Sequence, residues 1–270
     1  MGLFRKLAQL GGRGVVALIL VYLALPTLII VPMSFSGSTY LAFPPESWSL
    51  GWYRQMAQNP AWLTAAGNSL AIGVSSAALA TVLGTLAALA LARGKLGSPG
   101  LLMAFFVAPM MLPHIILAIG LYPVMLNLGA LRSYEAAVLG HTVIALPLVL
   151  ITVGAALKGY SGSLELAAMT LGANPWQSFW RVTFPMIRGG VVVGAILAFA
   201  TSFDELLLSL FLTGTTTRTL PRLIWEQLGD FLTPTIAAVA TLVFVFSLGL
   251  LAIAALLQRR SRTSLEALLG

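Results

Sequence analysis

Few residues in this chain of 270 can do chemistry. There is no cysteine, there are two histidines, His114 and His141, and the eight carboxylates stand singly except for the adjacent pair Asp204-Glu205. With no thiolate and the histidines in separate apolar runs, the spacings suit neither a metal site nor a catalytic triad. The missing cysteine removes disulfides as well, so it says nothing about redox compartment. Lys6, Lys95 and Lys158 are each followed by a residue other than Ser or Thr. No phosphate-binding loop exists, and the chain itself is expected to bind neither ATP nor any other cofactor.

The carboxylate pair is the chemical feature that needs a reason. Asp204 and Glu205 interrupt the largely apolar run from Val191 to Leu212. An ionised carboxylate inside a membrane costs on the order of 3 kcal/mol unless it faces water or a partner. Counting from Gly190 at about 1.5 Å per residue puts them roughly 20 Å along the span, past the midplane. Neighbouring helical residues point about 100° apart, so both can face one narrow pathway only if the helix opens there. They are either a negative lining for a cationic substrate or a structural pair, meeting Arg218, Arg222 or an arginine of a partner subunit. Each histidine is either a proton relay or substrate contact, or an interhelical hydrogen-bonding group.

The elements that must hold these groups are membrane helices. The chain is 59% hydrophobic and 9% charged, with too little polar surface to coat a soluble globule. Apolar runs long enough to cross a hydrocarbon layer of roughly 30 Å extend over 15–35, 63–92, 101–131, 136–157, 189–214 and 236–257. The first is read as an uncleaved anchor, longer than a signal peptide's apolar core. The third contains Pro109, Pro113 and Pro123 and is expected to be bent and packed inside a bundle. Trp48, Trp52 and Trp62 suit an outer interface. The net charge of +7 does not point to nucleic acid, because the basic residues flank the spans. With six spans and both ends inside, Arg5, Lys6, Arg13, Arg93, Lys95, Lys158, Arg181, Arg188, Arg259, Arg260 and Arg262 are cytoplasmic. Arg54, Arg132, Arg218 and Arg222 remain outside, in keeping with the positive-inside rule. The expected organisation is one membrane domain: an N-terminus 1–14, four spans within 15–157, a cytoplasmic loop 158–188, two spans within 189–257 and a tail 258–270.

Between the spans, 161–185 is a polar, well-capped passage. Ser163 can cap a helix carrying Glu165, Leu166, Ala167, Ala168 and Met169, and Gly172 stops it. Asn174 caps a second helix, with Pro175 at its first position and Gln177 three residues after the cap. Trp176, Phe179, Trp180 and Thr183 then share a face, and the helix is expected to end near Pro185. Further on, Thr219 and Pro221 can cap and start a helix along the outer surface bearing Arg222, Glu226 and Asp230.

The passage Glu165-Leu166-Ala167-Ala168, Gly172 and Pro185 resembles the EAA loop of permease subunits from bacterial ABC importers, most closely the spermidine/putrescine branch. The resemblance continues through Ser202-Phe203-Asp204-Glu205, Thr219-Leu220-Pro221 and Ile224-Trp225. It implies an all-α type I importer permease fold of six transmembrane helices with both termini cytoplasmic. Glu165, Ala168, Gly172, Trp176, Trp180 and Pro185 would couple to an ATPase subunit, and Asp204 and Glu205 would line the path of a small cation. Arg222, Glu226 and Asp230 would meet a solute-binding protein, unless their helix is merely interfacial. The implied partners are a second, different permease chain, two ATP-binding subunits that carry ATP and Mg²⁺, the binding protein and the lipid bilayer of the inner membrane. Polyamines are the first expected substrates; opines, 4-aminobutyrate and aminophosphonates come next. A secondary transporter or channel working without ATP is the rival, against which stand the capped helix pair and the lack of a repeated half.

Overall fold

The computed structural model describes the backbone of residues 2–94, 98–159, 161–230 and 233–269, and side chains within 14–94, 98–159, 161–229 and 233–257. Lys95 and the side chains of Asp230, Arg5, Lys6, Arg13, Arg259, Arg260 and Arg262 lie outside the described residues. The helices are α1 (Gly2–Ser34), α2 (Gly51–Gln58), α3 (Pro60–Arg93), α4 (Pro99–Met111), α5 (His114–Asn127) and α6 (Tyr134–Lys158). They continue as α7 (Ser163–Thr170), α8 (Pro175–Ser178), a π-helical turn (Phe179–Thr183), α9 (Phe184–Phe203), α10 (Leu207–Leu212), α11 (Leu220–Asp230) and α12 (Pro234–Leu269).

Among the described residues, five segments are long and apolar enough to cross a bilayer: Gly14–Ser34, Pro60–Arg93, Tyr134–Lys158, Pro175–Phe203 and Pro234–Leu257. The pair α4 and α5 makes a sixth if it counts as one broken span. The bend expected of the third run is present, as a turn of 103° between the two helices. The residue before a proline avoids the helical region, and Leu112, preceding Pro113, is extended at φ −83° and ψ 138°.

The fifth span differs at both ends. Pro185 does not end a helix: it lies in the first turn of α9, where its missing N–H is harmless. The π turn joins α8 to α9, so Pro175–Phe203 is one continuous helical segment. At its far end the helix stops at Phe203, and α10 begins only at Leu207.

The chain divides into two compact units. One comprises residues 1–60 and 226–245. In it the end of α1 is fixed to α2 by the Ser34 and Tyr53 hydroxyls, 2.6 Å apart, and by the tilted contact of the Phe35 and Tyr53 rings, with centroids 5.2 Å apart. The other comprises 61–225 and 246–270 and contains every group of chemical interest discussed below, apart from Glu226 and Asp230.

Within this second unit α6 and α9 pack along one another. Gly190 and Gly194, four apart on α9, let the backbones approach. A Cβ at Gly190 would sit 2.8 Å from the Thr152 carbonyl oxygen, and one at Gly194 would sit 2.5 Å from Thr152 Oγ1. Small residues at this spacing are the usual device where lipid supplies no hydrophobic drive between helices. Ala77, Ala80 and Ala88 of α3 join Val149, Val153 and Leu157 of α6 and Ile187 and Ala198 of α9 in one core cluster. A second cluster joins Ala118 and Met125 of α5, Ala136 and Ile144 of α6, and Leu208 and Leu212 of α10.

Candidate functional site

The polar passage folds as two capped helices, although one cap differs from expectation. Ser163 is the first residue of α7 and its hydroxyl does not cap the helix. The stop at Gly172 is a complete C-terminal motif: Gly172 N–H donates to Met169 O and Ala173 N–H to Ala168 O, each at 3.0 Å. Closing both bonds requires φ of +92° at Gly172, the left-handed region that a side chain resists. Asn174 then forms a capping box with Gln177, with bonds of 2.8 and 3.1 Å.

Glu165 does not point outward from this hairpin. Its side chain is 15% exposed, and its carboxylate accepts hydrogen bonds from Arg93, at the end of α3, and from the Thr183 hydroxyl in the π turn. Arg93 also donates to Thr183 Oγ1 at 3.0 Å. One carboxylate thus ties α7, α3 and the start of α9 together. The hairpin presents large apolar side chains outward, since Leu166, Leu171, Trp176 and Trp180 are all exposed, alongside polar Gln177 and Arg181. Trp180 packs edge-on against Trp176 at 5.6 Å and Phe179 at 5.1 Å, which stiffens the ridge. Ala168 is half-buried and Pro185 exposed, whereas Thr183 faces inward. The expected shared face therefore holds for the aromatics alone.

Asp204 and Glu205 lie where α9 ends, and the break separates their surroundings. Glu205 is buried. Its Oε1 accepts the Leu208 N–H at 3.0 Å, capping α10, and its Oε2 lies 2.8 Å from His114 Nδ1. His114 starts α5, just after the turn at Pro113, so this pair joins two helix breaks to each other. Asp204 is exposed. Its two oxygens each accept from Ser247 of α12 at 3.3 Å, and beside them Phe199, Phe203 and Phe246 form a ring cluster with centroids 4.9 to 6.1 Å apart. His141 is fully buried between Ser202 Oγ, at 2.8 Å, and Ser209 Oγ, at 3.2 Å, joining α6 to both sides of the same break.

Asn68 and Ser69 are buried near the start of α3. Asn68 donates to the carbonyls of Thr216 and Arg218 at 2.9 and 2.8 Å, and Ser69 Oγ accepts the Leu220 N–H at 2.8 Å. These bonds fix the loop leading into α11, whose start is held by the Thr219 carbonyl rather than its hydroxyl. Arg222 turns back from α11 to donate to the Thr213 carbonyl and, at 2.9 Å, to its hydroxyl. Glu226 is half-buried.

Residues 80–263 match the family described as the binding-protein-dependent transport system inner membrane component. This chain belongs to that family. The spermidine/putrescine transport system permease protein PotC of Escherichia coli (strain K12) is 31% identical to it over 250 residues, covering 93% of this chain and 94% of PotC. The putrescine transport system permease protein PotI of the same strain is 34% identical over 231 residues, 82% of this chain and 81% of PotI. In the crystal structure of a bacterial ABC transporter that imports the acidic polysaccharide alginate, one chain superposes with a TM-score of 0.70 at 15% identity, covering 94% of this permease and 96% of that chain. That likeness establishes the fold. The permease is a non-catalytic inner-membrane subunit of an ATP-driven importer.

Sequence reasoning missed the partners of the key groups. Arg93 reads as an ordinary cytoplasmic charge, Thr183 as part of an aromatic face, and Ser247 as one small residue in an apolar run. The break at 204–206 had one signal, two carboxylates in a row inside a span.

Proposed function

We propose that this permease imports polyamines, with Asp204 as the carboxylate that meets the cation. The observation that carries the reading is the exposure of Asp204 immediately after Phe203, where a membrane-spanning helix ends, with the neutral Ser247 hydroxyl donating to it. Lipid cannot surround such a group, so a pathway or a partner subunit must. A carboxylate beside a wall of phenylalanine rings suits an alkyl ammonium, whose charge takes the carboxylate and whose methylenes and charge both favour aromatic faces. The identity to PotC and PotI points to the same substrate class.

The remaining parts follow the same reading. The loop around Glu165 to Pro185 faces the cytoplasm and docks its exposed Trp176 and Leu171 on an ATP-binding subunit. A second permease chain supplies the other half of the pathway, two ATP-binding subunits carry ATP and Mg²⁺, and a solute-binding protein delivers the substrate. Closure of the ATPase pair moves the hairpin, and α9, continuous with it, carries that motion to Asp204. Both sites bias one two-state element, as coupling requires.

The test is ATP hydrolysis by the complete complex in lipid with its binding protein. Putrescine and spermidine are compared with 4-aminobutyrate, an aminophosphonate and sulfate. Stimulation by a polyamine that Asp204→Asn abolishes is the expected result. Stimulation by another solute alone removes the polyamine assignment.

A further inference from the structure

The pair of His114 and Glu205 joins two helix breaks, and at one of them Asp204 stands exposed. Asp204 and Glu205 are neighbours in the chain, so their Cα atoms are about 3.8 Å apart. Both oxygens of Glu205 are occupied, one by the Leu208 N–H and the other by His114 Nδ1 at 2.8 Å. An ionised carboxylate only accepts, so Nδ1 carries the proton of the neutral ring and Nε2 is left as the base. Nε2 has no hydrogen-bond partner among the described residues, and the His114 side chain is 36% exposed against 6% for Glu205. A proton therefore reaches the pair through the histidine.

Few other charges bear on it. α5 packs against α10 and α6. Neither α10 nor α4, across the turn, carries a titratable residue. On α6, Tyr134 donates to Asn68, His141 lies between Ser202 and Ser209, and Glu135 and Lys158 stand at opposite ends of the helix. On α5 itself Tyr122 lies about 12 Å beyond His114, beside a cavity that Arg132 and Arg222 also line. Asp204, Glu205 and His114 thus set the charge at the break itself.

We infer that His114 tunes the charge of the cation site, and through it the preference for more highly charged amines. The inference rests on the reading above, in which Asp204 meets the cation. With the ring neutral, the break holds two negative charges. One added proton leaves a single net negative charge, whichever atom of the pair holds it. Charges this close inside a lipid-surrounded span are weakly screened, so the change is felt at Asp204. It weakens the hold on putrescine, with two ammonium groups, and more so on spermidine, with three. Imidazole takes up its proton within the physiological range, so acid lowers uptake.

The experiment measures uptake of each amine by the full complex in proteoliposomes, with saturating loaded binding protein and equal pH on both sides. The pH runs from about 7.5 to about 5.5, where imidazole titrates. His114→Asn puts an amide donor near the place of Nδ1 but takes up no proton, and His114→Gln is the second variant. Dividing the wild-type rate by the variant's at the same pH cancels the titration of the other subunits. That ratio is expected to fall about fivefold or more with putrescine as the pH drops, and further with spermidine. In wild type alone, the uptake of spermidine relative to putrescine falls too, a readout that needs no variant. A ratio independent of pH overturns the inference, as does an equal fall for both amines. Uptake of neither amine by wild type at about pH 7.5 sinks the polyamine reading, and this inference with it.

Discussion

Glu165 and Arg93, 72 residues apart in sequence, form an ion pair at the root of the hairpin of α7 and α8. The carboxylate is turned toward the end of α3, and the Thr183 hydroxyl completes its shell. The hairpin is fastened to two spans at once, so a push on its apolar ridge moves α3 together with α9.

Breaking that fastening should uncouple hydrolysis from uptake. Arg93→Glu is expected to lower transport per ATP about tenfold, and the exchange Arg93→Glu with Glu165→Arg should recover a substantial part. Uptake by proteoliposomes, normalised to hydrolysis, measures this. No recovery in the double variant would argue that Glu165 acts through the ATPase directly.

The two adjacent carboxylates should separate in behaviour. Asp204→Asn leaves the complex assembled and its melting temperature close to wild type, but reduces uptake of a dication. Glu205→Gln lowers stability by roughly 1.5–3 kcal/mol, since it weakens charged hydrogen bonds to His114 and to the α10 cap. Thermal unfolding in detergent alongside uptake distinguishes them; equal loss of stability in both would refute the division.

Gly172→Ala is expected to cost about 1–2 kcal/mol, because it forces a side chain into the left-handed region. The Cβ itself meets no atom, so the cost is conformational. Gly172→Asn, which tolerates that region better, should cost less. The order of the two melting temperatures is the check.

At the contact of α6 with α9, Gly190→Val should be worse than Gly194→Ala. The first drives a branched side chain against the Thr152 backbone, while the second meets first the Thr152 hydroxyl, which can rotate. Overpacking of this kind costs about 1–3 kcal/mol. Yield of folded permease after extraction, with its melting temperature, would show the difference.

What could be read from sequence was what neighbours in sequence decide. The capping box of Asn174 and Gln177, the stop at Gly172 and the apolar lengths of the spans are local, and each appears in the fold. The proline-rich third run announced a bend, but its 103° turn depends on what α5 packs against. The π turn at 179–183 carries no composition signal. Likewise the partners of Glu165, Glu205 and Asp204 come from helices 72, 91 and 43 residues away, and no local pattern names them.

The unbroken helical path from Pro175 to Phe203 constrains how this family of chains can change length. One residue added anywhere along it would swing Asp204 by about 100° relative to Trp176 and advance it by about 1.5 Å. The π turn, with its wider winding, already resembles one such addition absorbed into the segment. Insertions in the loop 35–50 involve no such rotation. A change of length in that loop therefore leaves the angle between Trp176 and Asp204 as it is, whereas one within the strut resets it.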